Sequence, residues 1–279
     1  MRKTQGFPQL LFVELPHRGV EVRVMLFERL HVPGPIYIGE GDFSLSVDPT
    51  KAFGPGGGLE VAGAMKIIDP TLQTLEYFDK RRRILIKDVH PWGHINYASS
   101  YLGREPEWLT LREVMDGKVR LAPHALFTIE DLIEYILLAP EHRIRLWPDH
   151  AKFDTDEIEL LPGLKETDFG FTFYKGMLAK CDSHSGIRDA LRRPTGLTPL
   201  LKTGRARRVF SKCLAADFCV GYNAEDAAID GFESYIVIDA CAAVDIPASG
   251  DYPGSIAVME KRLEAVGAKV ITSDQLRAA

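Results

Sequence analysis

The sequence predicts an α/β protein with a three-layer α/β/α arrangement, in which helices cover both faces of a mostly parallel central sheet. Short apolar strand patterns alternate with helical patterns along the 279 residues, which is typical of parallel sheets with helical connections. Polar residues follow several of the predicted strands. Because functional groups in such sheets collect beyond the carboxyl ends of the strands, these residues are candidates for one common site.

Composition and charge limit the classes of function. The chain has 46% hydrophobic and 26% charged residues, as an ordinary globular protein does, and its formal net charge is −5. We expect no nucleic-acid partner, because the longest basic run is residues 80–83. We also expect neither a signal peptide nor membrane insertion. Glu14 and Pro16 interrupt the first apolar run, and no run approaches the roughly 18 apolar residues of a membrane span.

The cysteines indicate the expected setting of the chain. They show no C-x-x-C spacing and are too sparse for a disulfide scaffold, so we expect reduced thiols and a cytoplasmic location. The four cysteines are Cys181, Cys213, Cys219 and Cys241.

The strand and helix patterns divide the chain into two parts. Residues 1–40 form a predicted β-rich extension, because VEVRVMLF alternates and residues 17–19 are typical of a turn. Residues 41–279 form one predicted α/β domain, with a long insertion at about residues 97–146. The extension could form the interface of a homo-oligomer, but the sequence does not establish one.

The elements of the domain follow in a regular order. DFSLSVDP is a predicted strand with Asp48 at its end, and the glycine-rich stretch after it lacks both the G-K-[S/T] ending of a P-loop and a G-x-G-x-x-G pattern. We therefore predict a plain loop there. A helix over residues 65–78 and the strand RRILIKDVH come next. After the insertion, FGFTFYKG is a strand ending at Lys175, and ESYIVIDAC is a buried strand. A last helix, capped by Gly267, precedes a last strand.

One helix is predicted within the insertion, where it would pack against the core or act as a lid. Thr128 and Asp131 form a capping box at its start. Its apolar stripe consists of Ile129, Leu132, Ile133, Ile136 and Leu137.

Cys219 is the candidate nucleophile. The stretch RRVFSKCLAADFCVGYNAEDAAIDG predicts a strand, a turn and a helix, with Cys219 in the first turn of that helix. Unpaired backbone N–H groups and the helix dipole at this position favour a thiolate over a thiol. The alternative is a buried structural thiol, since free cysteine is among the most buried residue types.

Asp48 and Lys175 are candidates for activating that thiol. Asp48 could accept the thiol proton while Lys175 holds the pair electrostatically, as an activated nucleophile requires. Each residue also has an ordinary alternative: Asp48 as a turn residue, and Lys175 as a surface lysine whose stem lies along apolar groups.

KDVHPWGH is a candidate metal-binding segment. Asp88 and His90 are two residues apart at a strand end, so their side chains point to one side of the sheet and could supply two ligands. His150 is the preferred third ligand and His94 the weaker one, because the turn after His90 carries His94 away. This ligand set suits zinc, iron or manganese. A surface polar pair is the alternative.

The chain from about Ser44 onward resembles the nicotinamidases and pyrazinamidases, which are isochorismatase-like cysteine hydrolases. The resemblance is carried, in the family's order, by VDPTKAFGPGGGLEVAGA, KDVHPWGH, WPDHA, FYKGMLAKCDSHSG, LAADFCV and GAKVITSDQL. It implies that residues 41–279 are the hydrolase domain. The implied activity is hydrolysis of nicotinamide to nicotinate and ammonia, through a thioester, in the salvage of pyridine nucleotides.

The resemblance also implies roles for individual residues. It implies a triad of Asp48, Lys175 and Cys219. It implies one divalent metal ion, zinc before iron or manganese, held by Asp88, His90 and His150. In the family the metal holds the pyridine nitrogen of the substrate. Further implied features are Phe53 and Trp147 on either side of the substrate ring, and an oxyanion hole of the Ala215 and Cys219 N–H groups, with a cis peptide between Leu214 and Ala215.

Three departures from the family pattern leave the substrate open. Ala52 stands where an acidic residue is usual, Ala151 where cysteine is common, and His184 where tyrosine is frequent. His184 is expected in the substrate pocket near Lys175. The alternatives are a cysteine hydrolase of the same fold that acts on a different small amide, and a non-catalytic ligand-binding relative.

Overall fold

The computed structural model describes residues 26–139 and 142–279. The turn predicted at residues 17–19 and the first six residues of the alternating segment 20–27 lie outside the described residues. Of the predicted extension, Leu26 and Phe27 are buried in the core, and a short strand β1 (Ile36–Ile38) pairs in parallel with the last strand, β10 (Leu276–Ala278). The division into an extension of residues 1–40 and a domain of residues 41–279 therefore stays a prediction.

The predicted parallel sheet is confirmed. In the described ranges six strands form it: β2 (Asp42–Val47), β3 (Arg83–Asp88), β6 (Phe171–Lys175), β7 (Arg208–Leu214), β8 (Glu233–Ala242) and β9 (Lys269–Ile271). Their order is β6-β3-β2-β7-β8-β9, and every neighbouring pair is parallel.

Helices pack on both faces of this sheet, as predicted. Among the residues that the structure describes, the helices outside the insertion are α1 (Ile68–Glu76), α4 (Leu197–Thr203), α5 (Cys219–Ile229) and α6 (Ser255–Val266). Side chains alternate across β3: Ile84 and Ile86 join the core under α4, α5 and α6, whereas Leu85 packs with Leu75 of α1 on the other face. Helix α1 is shorter than the predicted 65–78, because a 3₁₀ turn occupies residues 64–67.

The insertion folds around a small core of its own. It contains β4 (Trp108–Thr110), which pairs antiparallel with β5 (Arg143–Arg145), and the helices α2 (Leu111–Met115) and α3 (Ile129–Leu138). The predicted capping box is confirmed, since the Asp131 N–H donates to Thr128 Oγ1 and the Thr128 N–H donates to the Asp131 carboxylate.

The predicted apolar stripe of α3 is wrong at one position. Leu137 is 49% exposed, and Tyr135 is buried in its place. At about 100° per residue, Leu137 lies roughly 140° around the helix from Leu132, the centre of the buried face, whereas Tyr135 lies roughly 60° from it.

The strand order brings the predicted site residues to one edge of the sheet. Asp48 follows β2, Asp88 ends β3, Lys175 ends β6, and Cys219 lies just beyond β7. Asp88 and Lys175 are direct neighbours in the pairing of β3 with β6. None of the helices in the described ranges combines the length and apolar character needed to cross a bilayer.

Candidate active site

Cys219 is the first residue of α5. The chain leaves β7 at Leu214, passes through a short loop and enters the helix, and the peptide bond between Leu214 and Ala215 is cis. The N–H groups in the first turn of a helix have no acceptor within the helix, so the backbone here offers donors to an anionic oxygen. Cys219 is buried, with 7% of its surface exposed, and it lines a cleft.

Lys175 connects the groups of the site. Its Nζ lies 2.9 Å from Asp48 Oδ2, 3.0 Å from Asp88 Oδ1 and 3.5 Å from Cys219 Sγ. The side chains of Lys175, Asp48 and Asp88 are almost completely buried. Asp48 has a φ of 52°, a left-handed backbone conformation that is uncommon outside glycine. The thiol, the carboxylate and the ammonium group predicted from sequence are therefore brought together.

Burial raises the pKa values of the carboxylate and of the thiol in this site. Desolvation raises the pKa of Asp48 to about 7, even though Lys175 acts to lower it. Desolvation also raises the pKa of the Cys219 thiol well above its ordinary value, again against the effect of Lys175. Burial therefore outweighs the preference of the helix start for a thiolate, and the thiol stays protonated beside Asp48, the carboxylate predicted to accept its proton.

Asp88, His90 and His150 form a candidate metal centre. One ligand atom of each lies within 4.8 Å of the others, and all three residues are buried. Asp88 Oδ2 is 2.9 Å from His90 Nε2 and 3.9 Å from His150 Nε2.

Backbone carbonyls orient both imidazoles toward Asp88. His90 Nδ1 donates to the Gly176 carbonyl at 2.9 Å, and His150 Nδ1 donates to the Pro148 carbonyl at 2.7 Å. This arrangement places each proton on Nδ1 and presents Nε2 to an ion, as is usual for histidines that ligate metals. The three side chains therefore fit a divalent metal with nitrogen and oxygen ligands.

The two histidines differ in charge when no metal is bound. Desolvation acts to lower the pKa of His90, but the Asp88 carboxylate outweighs it and raises the pKa to about 9. Desolvation lowers the pKa of His150 to about 4. A metal ion at this position would replace the proton that His90 otherwise shares with Asp88.

His94, the weaker candidate for the third ligand, belongs to a different group. It is buried with His90 and Asp182, and its ring is tilted by 31° against the His90 ring at a centroid distance of 4.2 Å. Desolvation lowers the pKa of His94 to about 3, so it is neutral.

Two glycines allow the backbone to lie close to the candidate metal ligands, and the sequence does not predict this role for either of them. A Cβ on Gly176 would lie 2.5 Å from both Asp88 Oδ1 and His90 Cε1. A Cβ on Gly58 would lie 2.1 Å from the Asp149 carbonyl and 2.9 Å from His150 Cα. The glycine-rich loop, predicted as a plain loop, therefore packs directly on the segment that carries His150.

Replacing Gly176 by alanine is expected to weaken binding of a divalent metal by about 10- to 100-fold. The new Cβ would displace two proposed ligands, and the left-handed φ of 72° adds strain. Gly103→Ala is the matched control, because it has a φ of 71° and open space around the added Cβ. Titration with zinc against a competing chelator measures the difference. Equal affinities for the two variants would show that Asp88 and His90 do not hold the metal.

The cleft above these groups is aromatic on several sides. Its lining residues are Phe53, Leu59, Asp88, Trp147, His150, Asp182, His184, Ala215, Phe218, Cys219 and Val244. Phe53 lies edge-on to His150 at 5.5 Å, and Trp147 lies edge-on to Phe218 at 5.1 Å. The predicted pocket residues Phe53, Trp147 and His184 thus all line one cleft with Cys219.

Sequence reasoning missed several residues of this cleft and its support. The sequence does not predict four lining residues, although the first three of them lie within the quoted motifs VDPTKAFGPGGGLEVAGA, FYKGMLAKCDSHSG and LAADFCV: Leu59, Asp182, Phe218 and Val244. Tyr97, in the insertion, is fully buried and donates a hydrogen bond to the His150 carbonyl. No signal in the sequence pairs Tyr97 with His150.

Comparisons with known proteins identify relatives of this chain. No protein-family model matches the chain. A nicotinamidase of Acinetobacter baylyi is 33% identical over 204 residues, which cover 73% of this chain and 82% of the relative.

Two solved structures extend the comparison. A nicotinamidase pyrazinamidase from Acinetobacter baumanii superposes with a TM-score of 0.68 at 27% identity, over 85% of this chain and 98% of the other. A pyrazinamidase of Pyrococcus horikoshii in complex with zinc shares the fold, with a TM-score of 0.56 at 22% identity, over 83% of this chain and 99% of the other. On this similarity over most of both chains, the protein belongs to the nicotinamidase family of isochorismatase-like cysteine hydrolases.

Proposed function

We propose that this chain hydrolyses nicotinamide to nicotinate and ammonia, and that it serves the salvage of pyridine nucleotides. The observation that carries the proposal is the position of Lys175 Nζ, within 3.5 Å of the Cys219 thiol and in ion pairs with Asp48 and Asp88. A nucleophile, its base and a metal-ligand group thereby meet beside one aromatic cleft, which Cys219 and Asp88 line. The nicotinamidase relatives support the choice of substrate.

Attack by the Cys219 thiol is the first step. Asp48 accepts the thiol proton as the Sγ–carbon bond forms, and the carbonyl electron pair moves onto the amide oxygen. The Ala215 and Cys219 N–H groups donate to that oxyanion. Lys175 offsets the negative charge of the Asp48–Cys219 pair, since its pKa is raised well above the ordinary value against the effect of burial. It therefore stays charged throughout.

Loss of ammonia and attack by water complete the cycle. The carbon–nitrogen bond breaks, the proton on Asp48 moves to the departing nitrogen, and a thioester to Cys219 remains. Asp48 then takes a proton from a water molecule as its oxygen attacks the thioester carbon. The carbon–sulfur bond breaks, and the Asp48 proton returns to the sulfur, which restores the starting state.

Asp88, His90 and His150 would hold the divalent metal of this site. The metal would supply a Lewis acid for the nitrogen of a heteroaromatic ring. Zinc is the proposed ion, supported by the zinc complex of the Pyrococcus horikoshii pyrazinamidase, with iron and manganese as alternatives that fit the same ligands. Phe53 and Trp147 would enclose the flat ring and exclude water from the reacting carbonyl.

The pH profile follows from the role of Asp48. A base must be ionised to accept a proton, and burial raises the pKa of Asp48 to about 7. We expect kcat/KM for nicotinamide to fall about tenfold per pH unit below about pH 7. Metal content measured in the same samples controls for loss of the ion. A profile that stays flat down to about pH 5 would exclude Asp48 as the base.

A substrate screen tests the proposed function. Ammonia release is measured from nicotinamide, pyrazinamide and small aliphatic amides, with the protein as purified, after chelation and after zinc is restored. We expect release from nicotinamide that falls on chelation and returns with zinc. Release only from an aliphatic amide would identify the alternative enzyme. No release from any amide by the zinc-loaded protein would identify a ligand-binding relative.

A further inference from the structure

Two polar residues of the cleft have no role in the proposed reaction. Asp182 and His184 lie in the segment between β6 and α4, and both line the cleft with Cys219. The other polar lining residues belong to the triad or to the candidate metal centre. Asp182 and His184 are next to each other, with Asp182 Oδ2 at 3.8 Å from His184 Nδ1.

Asp182 is a fixed carboxylate. Its Oδ2 accepts a hydrogen bond from Asn96 Nδ2 at 2.7 Å, and its Oδ1 accepts one from the Ser183 N–H at 2.6 Å. Both partners are N–H donors, and hydrogen bonds to the charged form stabilise an ionised carboxylate. A permanent negative charge therefore faces Nδ1 of His184.

His184 is held by aromatic contacts, and its polar atoms are available. Its ring stacks on Tyr222 at a centroid distance of 5.1 Å and lies edge-on to Phe218 at 6.0 Å. The side chain is 26% exposed, and within residues 26–139 and 142–279 neither ring nitrogen forms a hydrogen bond. Desolvation lowers the pKa of His184, so the ring is neutral.

The carboxylate determines which nitrogen carries the single proton. A neutral imidazole has one donor and one acceptor nitrogen. Asp182 favours the proton on Nδ1, because that nitrogen faces the negative charge. His184 Nε2 is then an acceptor without a partner among the described residues, on a ring that lines the cleft.

We propose that His184 is a specificity-determining residue that accepts a hydrogen bond from an amino or hydroxyl group on the substrate ring. The substrate class is then heteroaromatic carboxamides that carry a ring donor, hydrolysed in addition to nicotinamide. Substrates that carry a carboxylate on the ring are disfavoured, because the negative charges of Asp182 and Asp88 in the same cleft would repel it. This inference rests on the proposed function, because the ring must be bound with its amide at Cys219.

The test compares selectivity between two kinds of substrate. Steady-state kcat/KM is measured for nicotinamide and for aminonicotinamides with the amino group at each free ring carbon. For at least one isomer, kcat/KM divided by the value for nicotinamide is expected to fall about 10-fold or more in His184→Phe. This variant retains an aromatic ring but has no hydrogen-bond acceptor. His184→Gln retains an acceptor and is expected to restore most of that ratio.

A control separates loss of the acceptor from a change in cleft shape. Val244 contributes an apolar part of the lining, so Val244→Ala is expected to change kcat/KM for both substrates while their ratio stays within about threefold. Circular dichroism confirms folding of each variant.

Two failures are distinguishable. Hydrolysis of nicotinamide with ratios for all isomers equal in wild type and His184→Phe overturns the role of His184 alone. Absence of hydrolysis of every compound by the zinc-loaded wild type overturns the proposed function and this inference with it.

Discussion

Replacing Cys219 by alanine is expected to lower kcat for nicotinamide by at least about 10⁴-fold. The side chain that forms the proposed thioester is lost, whereas the ligand set of Asp88, His90 and His150 is untouched. Because Cys219 is not one of the three ligands and its Sγ atom contacts Lys175 Nζ, zinc affinity should stay close to that of the wild type. Nicotinate formation and zinc titration measure the two properties in the same preparation.

Cys181→Ala is the matched control for this variant. Cys181 is also a buried free thiol, but it packs in the core of the insertion and does not line the cleft. It should retain activity near that of the wild type. Turnover by Cys219→Ala within about tenfold of the wild type would refute the nucleophilic role of Cys219.

Replacing Asp48 by asparagine is expected to lower kcat by about 10³-fold. Asparagine has a similar shape but cannot accept the thiol proton, and the Cys219 thiol has a raised pKa because it is buried. Removal of one partner of a buried ion pair also costs stability, on the order of 3–5 kcal/mol. The rate is therefore measured at a temperature where circular dichroism shows the variant to be folded.

Asp42→Asn separates the catalytic effect from the loss of a buried charge. Asp42 is a buried carboxylate at the opposite end of β2, where it pairs with Arg208. This variant should lose stability and retain kcat. If both variants lose stability but neither loses more than about tenfold in kcat, Asp48 is structural and another group is the base.

Much of the site could be predicted because its residues occupy strand and helix ends. Alternation in DFSLSVDP and the apolar run in RRILIKDVH place Asp48 and Asp88 at the ends of neighbouring strands. The carboxyl ends of parallel strands lie at the same edge of the sheet. The local strand patterns are therefore sufficient to predict that these residues lie near Lys175 and Cys219.

The remaining features depend on long-range packing. The raised pKa values of Asp48 and Cys219 are set by burial, which motif spacing does not report. Gly176 lies against His90, and Tyr97 donates a hydrogen bond to the His150 carbonyl. These partners are far apart in the chain, and no helical or strand periodicity in the sequence links them. The prediction for Leu137 is wrong because apolar character alone does not decide which side of a short helix is covered.

Partition of the reaction by hydroxylamine tests the central claim most directly. A thioester between Cys219 and the nicotinoyl group reacts with water or with added hydroxylamine, so the products are nicotinate and the corresponding hydroxamate. We predict that the zinc-loaded wild-type protein forms hydroxamate at the expense of nicotinate, in proportion to the hydroxylamine added, and that Cys219→Ala forms neither. Nicotinate formed at the full rate with no hydroxamate at any hydroxylamine concentration would contradict the account, because it indicates direct attack of water on the amide.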